Sequence, residues 1–260
     1  MPTPKMTLGE AAHNSLRLVR QMIEAGADPN YSEDGLVPLR EACTQGHIPI
    51  IKYLLAHGAD PNGRDPDCGE SILAHLINRY WQSPVGSPKF RRKNYIPPKR
   101  VNTAVLRRLL RAGADPNLNN PDEDFQRPMF HWALVHNVKR VISILLDFGA
   151  DPNGRGQVHG GETPLMTACY FSDINIVEKL LEYPVDVNAK DGEGHNALFY
   201  VIAGMCPPRE VLPRFKLLYR HGIDLSARDN RGDNILQHIS HDGYNNGALA
   251  RWLRSHGVTK

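Results

Sequence analysis

Cysteine and histidine are the residues of this chain that could bind a metal ion or carry redox chemistry. The 260 residues include 4 cysteines and 12 histidines. No two cysteines form a C-x-x-C pair, the spacing typical of zinc knuckles and redox motifs. His238 and His241 lie one helical turn apart, but the sequence supplies no third ligand beside them. We therefore expect no metal site, and reduced, structural thiols at Cys43, Cys68, Cys169 and Cys206.

Motifs of nucleophilic, nucleotide-dependent and metalloprotease catalysis are missing from the sequence. It contains no G-x-S-x-G, no G-x-x-x-x-G-K-[ST], no G-x-G-x-x-G after a strand pattern and no H-E-x-x-H. A glycine-rich stretch at 154–161 connects two repeated segments rather than a strand and a phosphate-binding helix. We expect neither an enzyme nor a cofactor.

The composition is that of an ordinary soluble protein, with 41% hydrophobic and 23% charged residues. No apolar run approaches the roughly 18 residues of a membrane-spanning helix. The first residues lack the basic and then apolar pattern of a secretory signal. We expect no membrane insertion and a cytoplasmic location, with a nuclear location or delivery into a host cell left open.

A recurring pentapeptide indicates where the helices of the chain end and turn. Gly-Ala-Asp-Pro-Asn occurs four times and two degenerate copies follow, at 26–30, 58–62, 113–117, 149–153, 184–188 and 222–226. Successive glycine-equivalent positions are 32 to 38 residues apart, except for one interval of 55. The copies follow apolar runs, such as 141–146, with the spacing of one buried helix face. Glycine before Asp-Pro predicts a helix end and an outward turn, in which the repeated aspartate accepts hydrogen bonds.

A second recurring segment lies about 20 residues before the asparagines. Its clearest copy is Thr163-Pro-Leu-Met-Thr-Ala168, where threonine suits the N-cap and proline the first helical turn. Similar segments begin at Val37 and Pro128. With a period near the roughly 33 residues of ankyrin repeats, they resemble the ankyrin signature Thr-Pro-Leu-His-x-Ala, from about Thr7 to Val258. The resemblance implies an all-α solenoid of about seven helix-turn-helix units with finger loops, stabilised by stacking of neighbours.

We predict a single ankyrin-repeat domain over 1–260, with one long insertion in the third unit. The first helix of that unit should end near 78–80 and the second should begin near Val101. The sixth unit has a short extension between Gly204 and Phe215, which we expect to lengthen its helix-to-helix turn. His131, at the fourth signature position, should make a local hydrogen bond rather than bind a metal. The expected units are approximately 5–30, 31–62, 63–117, 118–153, 154–188, 189–226 and 227–260, with the inserted loop at 81–100.

A basic sector, residues 71–113, coincides with the insertion. It has no acidic residue and a charge of +10, so the remainder of this +3 chain carries −7. Such a field attracts an anionic partner: an acidic protein, a nucleic acid or an acidic membrane. The alternative is a solvated, disordered loop. Aromatic residues among basic ones also occur in nucleic-acid binders, but the acidic run 122–124 would repel phosphate, so we favour a protein with an acidic patch. The candidate contacts here are Arg79, Tyr80, Trp81, Lys89, Arg91, Arg92 and Lys93.

The resemblance also implies which positions face a partner. In ankyrin units the two residues after the Ala-Ala of the signature usually face the concave groove, and here they include Tyr170 with Phe171, and His136. Large aromatic side chains at such positions are expected to anchor an interface. Tyr80 and Trp81 should lie on the same side one or two repeats away, or else pack under the inserted loop.

The resemblance implies a non-catalytic protein–protein interaction module, an adaptor or an inhibitor, that is monomeric by itself. One alternative is a bacterial effector or immunity-type protein that occludes a target. Another is a binder of nucleic acid or an acidic membrane through the basic sector. The segment 180–188 also resembles the context in which ankyrin asparagines are hydroxylated, so Asn188 is a candidate modification site.

Overall fold

The computed structural model describes residues 6–32, 35–67, 69–78, 101–118, 128–156, 160–241 and 247–259. The chain divides into two compact bodies, an N-terminal body of residues 1–124 and a C-terminal body of residues 125–260. Within the described ranges the regular structure is helical, with two isolated β-bridges and no strand.

The described part of the N-terminal body contains three helix pairs, consecutive along the chain. The first helices of neighbouring pairs pack on each other, and each also packs on the second helix of its own pair. The helices are α1 (Leu8–Ala12), α2 (Leu16–Glu24), α3 (Pro38–Gln45), α4 (Ile48–Ala56), α5 (Ile72–Asn78) and α6 (Thr103–Arg111).

The C-terminal body repeats this arrangement with four pairs among its described residues. The first helices α7, α9, α11 and α13 contact one another in that order, and α10, α12 and α14 do the same in a second row. The helices are α7 (Met129–Val135), α8 (Lys139–Asp147), α9 (Pro164–Phe171), α10 (Ile174–Leu181), α11 (Ala197–Ala203), α12 (Pro208–Arg220), α13 (Ile235–His241) and α14 (Gly247–Ser255).

These seven pairs in the described ranges confirm the predicted all-α repeat fold. The third pair surrounds the insertion, since α5 ends at Asn78 and α6 begins at Thr103. The inserted loop at 81–100 lies outside the described residues. The unit boundaries and the division into domains stay predictions.

The helices form where the sequence pattern indicated. At the start of α9 the Thr163 hydroxyl accepts the N–H of Met166 at 3.4 Å, and Pro164 occupies the first turn. Along α8 the apolar face is buried at Val141, Ile142 and Leu145. Burial of such a side chain contributes about 1.5–3 kcal/mol, which a single isolated helix pair could not obtain.

The pentapeptide closes one helix pair and joins it to the next. Its glycines have φ between 85° and 94°, the left-handed conformation that ends a helix. The Asp60 carboxylate accepts the N–H of Asn62 at 2.8 Å, which confirms the predicted turn role. The Asn62 side chain donates to the carbonyl of Gly113 at 3.0 Å and accepts the N–H of Asp115 at 2.7 Å. Asn30, Asn153 and Asn188 make the same bridge to the following repeat.

The extension of the sixth unit lengthens both the turn and the helix that follows it. The connection between α11 and α12 spans 204–207, longer than the connection 172–173 between α9 and α10, as predicted. Pro207 is the N-cap of α12 and Pro208 occupies its first turn, where a fixed φ and a missing N–H cost little. The prediction missed that α12 itself is also longer, with 13 residues and Pro213 inside it.

Candidate functional site

A cavity of about 360 Å³ in the C-terminal body brings together side chains from three consecutive repeats. Tyr170 and Phe171 reach it from the end of α9, Tyr200 from α11 and His238 from α13. Met205, from the connection after α11, also lines the cavity and is 65% exposed. This volume is within the range of ligand-binding pockets.

Aromatic rings form one wall of the cavity. The ring centroids of Tyr170 and Phe171 are 4.5 Å apart, and those of Tyr170 and Tyr200 are 6.5 Å apart in an edge-on arrangement. These are favourable geometries for aromatic pairs. Tyr170 and Phe171 remain partly exposed at the cavity, so the two side chains predicted as partner contacts are not enclosed in the core.

The end of α9 is held by residues from the next repeat. The N–H of Met205 donates to the carbonyl of Tyr170 at 2.9 Å. Gly204 allows this approach, because a Cβ there would lie 2.9 Å from the Cα of Tyr170. Behind them, the Arg214 guanidinium donates to the carbonyls of Cys169 at 3.0 Å and Ser172 at 2.6 Å. A cation at these carbonyls also complements the negative end of the helix dipole.

Carboxylates also line the cavity, next to the aromatic rings. The Asp191 carboxylate accepts the N–H groups of Glu193 and His195 at 2.9 Å and the hydroxyl of Tyr200 at 2.8 Å. Burial, the hydrogen bond to Asp191 and the charges of Asp191, Glu162 and Glu193 all raise the pKa of Tyr200. Tyr200 therefore stays protonated, and the charges of three carboxylates act on it.

Two histidines, His195 and His238, line the cavity, and Asp229 lies beside both of them. The His238 ring is 2.8 Å from the Asp229 carboxylate, and the His195 ring stacks on Phe199 at 4.7 Å. Burial alone would raise the pKa of Asp229, but hydrogen bonds from His238 and from the N–H groups of Asp233 and Arg231 lower it to about 2. Ligand atoms of His195, Asp229 and His238 lie within 4.8 Å of one another, so this trio could hold a metal ion. From the sequence, His238 had been placed one helical turn from His241, and not beside His195 and Asp229.

His131, Cys43 and Cys169 are buried outside the cavity lining. His131 is fully buried, and its ring nitrogens lie 2.9 Å from the Thr167 hydroxyl and 2.8 Å from the Gly154 carbonyl. The ring is hydrogen-bonded, as predicted, but its partners are 36 and 23 residues away rather than local. Cys43 and Cys169 are free and buried, and burial raises the pKa of both, that of Cys169 to about 12. Such thiols are poor nucleophiles.

The remaining predicted contacts do not join this cavity. His136 follows α7, where its ring stacks on Trp132 at 4.8 Å. Asn188 is exposed, with both ends of its amide in the bridge to the next repeat, and its hydroxylation stays a prediction. Seven candidates lie outside the described residues: Arg79, Tyr80, Trp81, Lys89, Arg91, Arg92 and Lys93.

Sequence reasoning missed several residues of the cavity. Asp191, Glu193 and His195 precede α11, and Tyr200 lies within it. In the repeat register Tyr200 corresponds to Thr167, and the groove pair of α9 corresponds to Ala203 and Gly204. The register therefore gave no signal for Tyr200, and none for Met205, which follows the repeated part of its unit.

The fold and the cavity define a helical repeat protein with a partly aromatic cavity. The family model for ankyrin repeats (3 copies) matches residues 6–78 and 99–191, more than half of the chain. The chain therefore belongs to the ankyrin-repeat family, as the sequence resemblance predicted. Ankyrin repeats are in general modules for protein–protein interaction.

Curated relatives share this repeat but are longer proteins. Alpha-latrocrustotoxin-Lt1a of Latrodectus tredecimguttatus is 26% identical over 93% of this chain and 15% of the toxin. Transient receptor potential channel pyrexia of Drosophila melanogaster is 31% identical over 71% of this chain and 16% of the channel. Human Ankyrin repeat and SOCS box protein 6 is 31% identical over 49% of this chain and 30% of its own length. The chain thus spans less than a third of these relatives.

Solved structures match nearly the whole fold. The ankyrin repeat domain of Bcl-3 has a TM-score of 0.66 and 23% identity, covering 90% of this chain and 93% of that one. An ankyrin repeat domain from Acinetobacter baumannii has a TM-score of 0.67 and 22% identity, covering 85% and 98%. None of the helices in the described ranges combines the length and the apolar composition needed to cross a lipid bilayer.

Proposed function

We propose that this chain is a non-catalytic interaction module, an adaptor or an inhibitor, that binds a partner protein through the cavity face of the C-terminal body. The observation that supports this most directly is the position of Tyr170 and Phe171. Their rings line a cavity instead of completing the core. Aromatic anchors bury much area for little loss of rotamer entropy, and such residues dominate the binding energy of protein interfaces.

The test compares the wild-type chain with the double variant Tyr170→Ala, Phe171→Ala. Partners are captured from a lysate of the source cells and identified by mass spectrometry, and the Kd of the recovered partner is then measured for each variant. We expect the double variant to lose roughly 2 kcal/mol, about 30-fold in Kd. Tyr31→Ala is the matched control, because Tyr31 is 63% exposed and belongs to the N-terminal body.

The helical circular dichroism of each variant must equal that of the wild type. A double variant that is folded and binds with the wild-type Kd would contradict the proposed face. A loss equal to that of Tyr31→Ala would do so as well, because any exposed aromatic side chain would then account for it.

We infer separately that the basic sector contacts an acidic patch of the partner. Its charge of +10 is the supporting observation. Deletion of 81–100 should slow association and reduce the salt dependence of the association rate, since opposite charges steer encounter. If heparin and DNA bind the sector as tightly as the protein does, and with the same steep salt dependence, nonspecific polyanion binding is the better explanation.

A further inference from the structure

The cavity in the C-terminal body has a charge opposite to that of the basic sector. Three carboxylates line it, those of Glu162, Asp191 and Glu193, and no lysine or arginine is among the described residues of its lining. Asp191 is almost fully buried, whereas the Glu193 side chain is 76% exposed. Glu162 is also buried, so two of the three carboxylates are held inside the fold. Glu193, whose carboxylate lies 3.5 Å from the His195 ring, is the one open to solvent.

The negative charges converge on an aromatic surface. The hydroxyl of Tyr200 is anchored to Asp191 at 2.8 Å, and Tyr170 stands edge-on to Tyr200 with the Phe171 ring beside it. The face of an aromatic ring carries negative electrostatic potential and attracts cations. The aromatic rings and the carboxylates therefore both favour a positively charged ligand.

We propose that the cavity receives an arginine side chain of the partner protein, an inference that rests on the proposed function and names the chemistry of the bound group. The guanidinium is planar, weakly hydrated and permanently charged, so it can stack on Tyr170 or Phe171 while its N–H groups donate to Glu193. The exposed thioether of Met205 covers the apolar part of the guest at the rim.

Other occupants fit the cavity less well. An acidic side chain would be repelled by Asp191 and Glu193. A purely apolar side chain would desolvate these carboxylates and return no hydrogen bond. A lysine ammonium is a compact and strongly hydrated charge, so it gains less from flat ring surfaces than a guanidinium does.

The test uses the full chain and three small probes: the N-acetyl methylamides of arginine, citrulline and lysine. Citrulline keeps the shape of arginine but is neutral. Methyl resonances of the 6 methionines, labelled with ¹³C, report binding, and Met205→Leu assigns the signal at the rim. All titrations contain EDTA, so that no metal ion at His195 and His238 can bridge to a probe.

We expect the arginine probe to shift the Met205 signal with a Kd on the order of 1 mM, as for a ligand of this size. Citrulline should bind at least about tenfold more weakly, because it lacks the cation–π and ionic contributions, and lysine several-fold more weakly. Glu193→Gln should weaken arginine binding several-fold and leave citrulline unchanged. Glu178→Gln is the matched control, because it removes the same charge from an exposed position on α10, outside the cavity lining.

Equal binding of arginine and citrulline would overturn the proposal, and equal binding of arginine and lysine would overturn the choice of guanidinium. Equal effects of the two glutamate variants would also overturn it, since the net charge of the chain would then explain the result. The proposed function fails separately, if the double variant of Tyr170 and Phe171 keeps its partner. If that variant loses the partner while no arginine binds, the face is right and the guest is wrong.

Discussion

Arg214 holds the end of α9, where Tyr170 and Phe171 line the cavity, and its replacement tests this role. Its side chain, 1% exposed, lies on α12 and reaches the carbonyls of Cys169 and Ser172 at the end of α9. Its guanidinium also lies 3.1 Å from the carboxylate of Glu210, one turn earlier on α12. The variant Arg214→Met keeps most of the apolar stem and removes all these contacts.

The expected loss follows from the groups left behind. Two backbone carbonyls lose their donor, and a buried unsatisfied polar group costs about 1–3 kcal/mol. Glu210 is partly exposed and water can hydrate its carboxylate, so the loss of this ion pair adds little to the loss of stability. Removal of the buried cation recovers part of its desolvation cost. The net loss of unfolding free energy is therefore about 3 kcal/mol, the lower limit of the range for breaking a buried ion pair.

Urea denaturation followed by far-ultraviolet circular dichroism measures this loss. A change of about 3 kcal/mol should lower the midpoint by roughly 1 M urea. Arg209→Met is the matched control, because Arg209 is exposed on the same helix, and such surface changes stay within about 0.5 kcal/mol. Hydrogen exchange should also quicken at the end of α9. If both variants are equally stable, or if α9 keeps its protection in Arg214→Met, the capping role of Arg214 is refuted.

Three further predictions concern single contacts. The pKa of Asp229, about 2 against an ordinary 3.8, gives its carboxylate a stabilising effect of about 2 kcal/mol at pH 6 and roughly half of that at pH 3. The stability advantage over Asp229→Asn should therefore shrink as the pH falls, and a constant difference between pH 6 and pH 3 would contradict the shift. Asn153→Ala removes two hydrogen bonds to the next repeat and should lower the free energy of unfolding by about 1–2 kcal/mol in thermal denaturation, and wild-type stability would show that water replaces both. Gly204→Ala places a Cβ 2.9 Å from the Cα of Tyr170 and should cost about 1–3 kcal/mol, and wild-type stability would show that the loop yields without strain.

The repeat fold could be predicted because each of its signals is local. A glycine that ends a helix, an aspartate that accepts the N–H two residues later and a threonine that caps α9 all act within a few residues of the chain. The repeat period then predicts where the equivalent residues lie in the other repeats. The aromatic pair at 170–171 was found in the same way, from its position in the register.

The composition of the cavity depended on contacts between repeats. Arg214 caps a helix that ends more than 40 residues earlier, and Asp191 and Glu193 join Tyr170 only because neighbouring repeats stack. The charge of the segment 71–113 predicted a basic binding surface, whereas the lining of the described cavity carries carboxylates. Net charge along a segment is a sum over residues, but a binding site depends on which side chains converge, and only the packing of the repeats decides that.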